Sequence, residues 1–186
     1  MVTRLQLMKV HAILAAFIFP VALMFMITGA LYTWGIKGGY TNEVYDIQLT
    51  EELQPDLTTL TALVALELDK LELTQPTGKA KLKSIGNGFM FEWAGSTKDI
   101  HLESSNNTLV AKLTVKEASW YRNLVQLHKA KGGNAFKVYA AFFAIVMGLL
   151  LLSGFMMAWQ APKLKRLTLG AFVAGIGSFL LIAGLS

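Results

Sequence analysis

The chain contains no cysteine and three histidines, so His11, His101 and His128 carry most of its capacity for metal or haem chemistry. Without thiolates, disulfides, iron–sulfur ligation and cysteine-based zinc sites are excluded; any metal or cofactor must be held by His, Met, Tyr or carboxylate. His11 begins a stretch, residues 12–36, that has no charged side chain. His128 lies just before another uncharged stretch, residues 138–159, with a Gly132-Gly133 break between them. A histidine beside a membrane helix is well placed to ligate a metal or haem at the interface. If His11 and His128 mark opposite membrane levels, about 30 Å of hydrocarbon separates them and one iron in one copy cannot bind both. A second ligand would then come from a second copy of the chain or, for His11, from Met156 or Met157 on the facing helix. The bland readings stand beside these. A histidine at a helix end also binds headgroups or caps carbonyls, and methionines also pack or face lipid. No HExxH motif, Gly-rich phosphate loop or Ser-His-Asp set is visible, which leaves a hydrolase unsupported.

The elements that must position these residues are written in the composition. The 186 residues are 54% hydrophobic and only 16% charged, with a mean hydropathy of +0.47. Soluble domains carry about 25% charged residues, so the chain reads as a membrane protein. Residues 12–36, 138–159 and 167–185 are each long enough for a lipid-spanning helix, which needs about 20 mainly apolar residues. Pro20 inside the first is tolerable where neighbouring groups satisfy the freed carbonyl. The apolar run 12–27 exceeds the core of a cleaved signal peptide, which favours a retained anchor. Gly170, Gly177 and Gly184 recur at every seventh position of the third span, a stripe suited to close helix packing. The net charge of +5 comes from scattered basic residues without a nucleic-acid motif, and is better assigned to lipid headgroups and topology. Three spans place the basic head (Arg4, Lys9) and the basic turn (Lys163, Lys165, Arg166) on one side, expected to be cytoplasmic.

Residues 37–131 differ in kind: charged, mixed and rich in strand formers. Leucines at 57, 60, 63, 66 and 68 predict a helix over 56–70, with Asp or Thr as its cap. Strands are expected at 79–85, 88–94, 98–103 and 108–113, separated by Gly86-Asn87, Gly95-Ser96 and residues 104–107. Phe89, Phe91 and Trp93 share one face of their strand; Ile100 and Leu102 share one face of the next. That leaves Asp99, His101 and Glu103 on the other side, either as a surface cation site or, as favoured here, as a solvated sheet face. Thr114-Val-Lys-Glu117 has the pattern of a capping box and predicts a helix running toward His128. The fold class expected is a membrane protein of three transmembrane α-helices, with one small extracytoplasmic α+β domain between the first and second. The corresponding segments are a head (1–9), first span (10–36), α+β domain (37–131), second span (132–160), turn (161–166) and third span (167–186).

Three stretches carry a resemblance. Lys9-Val-His11 precedes a span with Thr28-Gly29, Leu127-His128 precedes Gly132-Gly133, and Ser153-Gly154 precedes Trp159. In their order the chain resembles the PepSY-associated transmembrane family of bacterial inner-membrane proteins, whose members include ferric-siderophore reductases and related iron-uptake proteins. The resemblance implies that the α+β unit is a PepSY-like module and that His11 and His128 bind haem b. It further implies electrons carried from the inner side toward ferric iron outside, by a ferric reductase or a subunit of one. Larger relatives have four or more spans and further PepSY sequence, so either this chain forms a homodimer to complete a ligand set or it has lost cofactor binding and acts as an accessory; a membrane redox or iron-transport partner is a further expectation. The other reading is a non-enzymatic, membrane-anchored PepSY module that binds or regulates a partner protein. Membrane lipid is a partner in either case, and nucleic acid in neither.

Overall fold

The computed structural model describes residues 3–86 and 88–186. Met1 and Val2 of the expected head, and Asn87 of the expected Gly86-Asn87 turn, lie outside the described residues. The order of elements is α1 (Arg4–Thr33), β1 (Tyr40–Gln48), α2 (Leu57–Lys70), β2 (Ala80–Ile85), β3 (Gly88–Ala94), β4 (Lys98–Ser104), β5 (Val110–Ala118), α3 (Trp120–His128), α4 (Gly133–Trp159) and α5 (Pro162–Leu185). The helices α1, α4 and α5 are long and apolar enough to cross a membrane, and the sheet domain falls between the first and second of them in sequence. The chain divides into two compact units, residues 1–22 with 141–186, and residues 23–140, the division falling within α1 and α4.

In the first unit α1 and α4 meet through Ile18, Val146 and Leu150, with Leu14, Val21, Phe143 and Met147 packed around them. Phe17 and Phe142 add an edge-to-face contact at 6.3 Å between centroids. Pro162 opens α5, where its missing N–H costs nothing. The basic run Lys163–Arg166 is therefore helical, and Lys165 lies 4.5 Å from the centre of the Trp159 ring. No residue of α5 is buried, and nothing lies within 4 Å of where a Cβ would stand on Gly170, Gly177 or Gly184. Among the described residues the close helix packing expected from that glycine stripe is not made.

The second unit holds a five-stranded antiparallel sheet, ordered β1-β5-β4-β3-β2. Its register places Phe91 opposite Leu102 and Trp93 opposite Ile100, so the two apolar rows read from the sequence form one continuous face. Ile100 and Leu102 in turn face Val115 and Leu113 of β5. Leu60, Val64 and Leu68 recur at helical spacing and bury the inner stripe of α2 against this face. The Asp56 side chain caps α2 by accepting the Thr59 N–H at 2.8 Å, as the sequence led us to expect.

Two local expectations are corrected. The capping-box pattern Thr114–Glu117 is part of β5, where Thr114 and Val115 pair with both neighbouring strands; the cap of α3 is Ser119, whose Oγ accepts the Arg122 N–H at 3.2 Å. Strand propensity and ladder bonds on both sides of β5 outweighed a four-residue local motif. The edge strand β1 was not expected: its apolar alternation is short, Tyr45 and Ile47 with Leu49 just beyond, and only Ile47 of these is fully buried.

Three helices of the chain close with the same double bond, in which the residue after a left-handed position turns back onto the last carbonyls. At α1 the left-handed position is Gly35 (φ +79°), and Ile36 N–H donates to Leu31 O while Gly35 N–H donates to Tyr32 O. At α2 and α3 it is held by Glu72 (φ 56°) and Ala130 (φ 58°), residues that adopt it only at a cost. The Gly132-Gly133 break then starts α4. Gly133 has φ +76°, and a Cβ on Gly132 would stand 2.7 Å from both Leu127 and Phe136, so neither position accepts a side chain without displacement.

Candidate functional site

His128 is the last residue of α3, and α3 is fixed to the sheet by its opposite side. Gln126, fully buried, donates through Nε2 to Tyr40 Oη at 2.6 Å and to Asp99 Oδ2 at 3.1 Å. Tyr40 Oη donates to the same Asp99 oxygen at 2.6 Å, Lys131 Nζ lies 3.5 Å from it, and Gly95 N–H reaches Oδ1 at 3.2 Å. Burial, then the hydrogen bond to Asp99, pushes the Tyr40 hydroxyl up to about 12, so it remains a donor at every physiological pH. The Arg122 guanidinium lies 4.6 Å from the centre of the Tyr40 ring. Val125 is also buried, so α3 turns Val125 and Gln126 inward. His128, two residues beyond Gln126, is turned by about 200° around the helix and meets α1 instead.

What His128 meets is Thr28-Gly29. Its Nδ1 lies 2.8 Å from Thr28 Oγ1, and a Cβ on Gly29 would stand 3.3 Å from its Cε1. The Phe25 ring lies beside the imidazole, at 4.9 Å between centroids. The hydroxyl decides the tautomer. Thr28, 1% exposed, has one proton, and Met24 O stands 2.6 Å from Oγ1 to accept it. With that proton given to Met24 O, Oγ1 accepts from His128 Nδ1–H, and in a neutral ring this tautomer leaves the lone pair on Nε2. Among the described residues no hydrogen bond engages that Nε2.

His11 repeats the scheme in the other unit. Its Nδ1 lies 2.8 Å from Ser153 Oγ, and a Cβ on Gly154 would stand 3.6 Å from its Cε1. Ser153 Oγ also lies 3.1 Å from Leu150 O, an acceptor for its proton, which lets the hydroxyl accept Nδ1–H from His11 in the same way. Each histidine is thus paired with a hydroxyl–glycine dipeptide on a membrane helix: His128 with Thr28-Gly29 of α1, His11 with Ser153-Gly154 of α4. At Gly29 the missing Cβ admits the flat ring against the helix backbone, whereas a Cβ at Gly154 would be in ordinary contact; the hydroxyl before each glycine bears on the ring's orientation.

Each histidine also lines an apolar groove. That of His128 has about 450 Å³ and is walled by Thr28, Gly29, Tyr32, Thr33, Val125 and Lys129. That of His11 has about 330 Å³ and is walled by Leu7, Val10, Leu14, Leu149, Leu152, Ser153 and Met156. Both sizes fall in the range of cofactor sites. Met156, read from the sequence as a candidate partner for His11, shares its groove; Met157 does not line it. No group of three or more His, Asp or Glu able to hold a bare metal ion exists among the described residues.

His101 belongs to neither groove. It stands across the sheet from Glu92 and Thr114, and only Glu103 of the expected solvated trio is exposed. Asp99 is buried in the bonds to α3, and His101 is half-buried. Burial, followed by Lys116, holds the His101 imidazole below its ordinary value. Burial also pulls Glu92 upward, but Lys83 and Lys81, both ion-paired to it, outweigh that and keep its carboxyl below the ordinary range. The solvated-face reading is corrected for Asp99, which is buried in the bonds to α3; Glu103 and the two lysines paired with Glu92 stay exposed, and His101 lies between.

The role of Thr28 and Ser153 was missed in the sequence, although both dipeptides were visible there. A hydroxyl residue followed by glycine in each of two spans, together with one histidine near each, is the signal that finds them. The model of the family described as the PepSY-associated TM region matches residues 2–161. No curated protein and no solved structure matches the chain.

Proposed function

From the premise that this chain belongs to the PepSY-associated TM region family, we propose that it is a haem-binding electron-transfer protein of the bacterial inner membrane, assisting reduction of extracytoplasmic ferric iron. The observation that supports this reading best is the commitment of Nδ1 of His11 and of His128 to a hydroxyl, which leaves Nε2 of each as a bare lone pair beside an apolar groove. Axial histidines are prepared in this way: the far nitrogen donates to a fixed acceptor, which sets the tautomer and orients the ring.

The residues present fit a haem. His128 and His11 would each offer a ring nitrogen to hold the group. Tyr32, Val125 and the Thr28 methyl would give the outer groove apolar walls, and Leu14, Leu149 and Leu152 the other. Haem b, when bound, supplies one-electron Fe(III)/Fe(II) chemistry. The chain's own part is to hold the two imidazoles aligned through Thr28 and Ser153, to exclude water with aliphatic and aromatic walls, and to keep the sites in a low-dielectric medium. Beside His11, Met156 lines the same groove and would be a second candidate to hold the group; among the described residues the walls of the His128 groove hold no second His or Met, so a further ligand there would have to come from a second copy of the chain. The basic head and the basic first turn of α5 favour a cytoplasmic side for both, and hence a periplasmic sheet domain.

His128→Ala, purified in detergent after expression with ample haem supply, should lose most of the haem carried by the parent at unchanged protein yield. Full haem retention would refute the assignment. A parent free of haem under the same conditions would favour the anchored, non-enzymatic interaction module.

A further inference from the structure

We propose that Tyr32, Lys37 and Lys129 form an anion-binding rim on the His128 groove, taking the carboxylate or phosphate groups of an amphiphile whose apolar body lies in that groove. In its haem form this rests on the electron-transfer reading, with the porphyrin propionates as the anions; a lipid phosphate would offer the rim the same chemistry.

Two chain reversals build the rim. Gly35 closes α1 with a left-handed turn, and the chain returns so that Lys37 Nζ stands 5.3 Å from the centre of the Tyr32 ring. Ala130 closes α3 in the same manner one residue after Lys129, whose Nζ stands 5.8 Å from the same ring. The two ammonium groups can be no further apart than those distances laid end to end. They repel one another across a ring that gives each only a weak attraction.

Among the described residues neither has an acidic partner, a lack that several other lysines share; what sets these two apart is that both approach one ring. Lys70, Lys81, Lys83, Lys98 and Lys131 each form an ion pair with a carboxylate. Among the described residues Lys37 and Lys129 form none. Two unneutralised cations therefore meet at one edge of a groove whose wall includes Tyr32, Val125 and His128. An apolar body with an acidic end satisfies both halves of the site. The body displaces water from the groove, and the acidic end removes the repulsion between the lysines.

The test compares binding of haemin and of haemin dimethyl ester, which lacks free carboxylates, to the detergent-solubilised full chain and to its K37Q/K129Q variant. Both lysines are exposed, so the substitutions leave the core untouched. We expect the variant to lose at least tenfold in affinity for haemin and nothing for the ester. Equal losses for both ligands, or no loss for either, would overturn the rim. If the parent takes up neither porphyrin, the electron-transfer reading fails by itself, and native mass spectrometry with phosphatidylglycerol and phosphatidylcholine decides the rim. Selective retention of phosphatidylglycerol by the parent, lost in K37Q/K129Q, would support it; retention that is equal in the two proteins, or absent from both, would overturn it.

Discussion

Thr28 Oγ1 stands 2.8 Å from His128 Nδ1 and 2.6 Å from the Met24 carbonyl, so one buried hydroxyl accepts from the imidazole while giving its own proton to the helix. Ser153 does the same for His11, with Leu150 O as its acceptor. These two bonds are the local cause of everything proposed for the histidines, and they can be broken without touching either ring.

Thr28→Val keeps the shape and removes the acceptor. With Thr28 1% exposed, the His128 N–H would be left without its partner, at a cost of about 1 to 3 kcal/mol. If His128 is a ligand, haem affinity should fall by about 10- to 100-fold, the usual effect of removing such an orienting partner. Thr28→Ser should restore most of it. Titration of haemin into the three proteins checks this; equal affinities would show that the hydroxyl does not position the ring.

The two glycines should not tolerate alanine equally. A methyl on Gly29 would stand 3.3 Å from His128 Cε1, tighter than ordinary contact, whereas one on Gly154 would stand 3.6 Å from His11 Cε1, which is ordinary. Gly29→Ala should therefore shift the His128 ring resonances in a nitrogen-labelled NMR spectrum, and Gly154→Ala should leave those of His11 nearly in place. The reverse order would contradict the geometry of both pairs.

The backbone turn that ends α3 carries a cost that can be relieved. Ala130 holds φ 58°, where an L-residue with a Cβ is disfavoured and glycine is not. Ala130→Gly should stabilise the unit by about 1 kcal/mol, seen as slower amide exchange in α3. Gly38→Ala should do the opposite: Gly38 holds φ +71°, and its new Cβ would stand 2.8 Å from the Arg122 nitrogen.

How much of this was legible in the sequence follows from how local each signal is. Long uncharged runs gave three membrane helices, and alternating Phe91-Trp93 and Ile100-Leu102 gave a sheet with one buried face, because burial repeats along those elements themselves. β1 stayed hidden because its alternation, Tyr45 and Ile47 with Leu49 beyond, is confined to one end of a strand whose first half is polar. The Thr114–Glu117 motif misled because ladder pairing on both sides of β5 is a non-local effect. His11 and His128 stood out by residue type, but their partners did not. Thr28 and Ser153 lie 100 and 142 residues from the histidines they bind, and no spacing rule along one chain links such pairs.

Acid should weaken the sheet domain in two steps. His101 is held below its ordinary value of 6.5 by burial and then Lys116, so the unfolded chain binds the extra proton as pH falls through 6.5, and stability declines from there down to the folded value. Glu92 is held below its ordinary 4.5 by its lysines in spite of burial, so its contribution is present above that value and is lost as pH falls through the lower folded one. Amide exchange of the sheet measured from pH 7 to pH 3.5 should show both steps, and His101→Gln should abolish the upper one alone. A profile unchanged by His101→Gln would contradict the assignment.

The most direct measurement is a reduced-minus-oxidised absorption spectrum of the detergent-purified chain, with haem quantified per chain, for the parent, His11→Ala and His128→Ala. We expect a b-type difference spectrum in the parent, diminished by each substitution, with the haem-to-chain ratio separating a site shared by two copies from two sites in one. A parent with no such spectrum after expression with ample haem, or one whose spectrum survives both substitutions, would contradict haem ligation by His11 and His128.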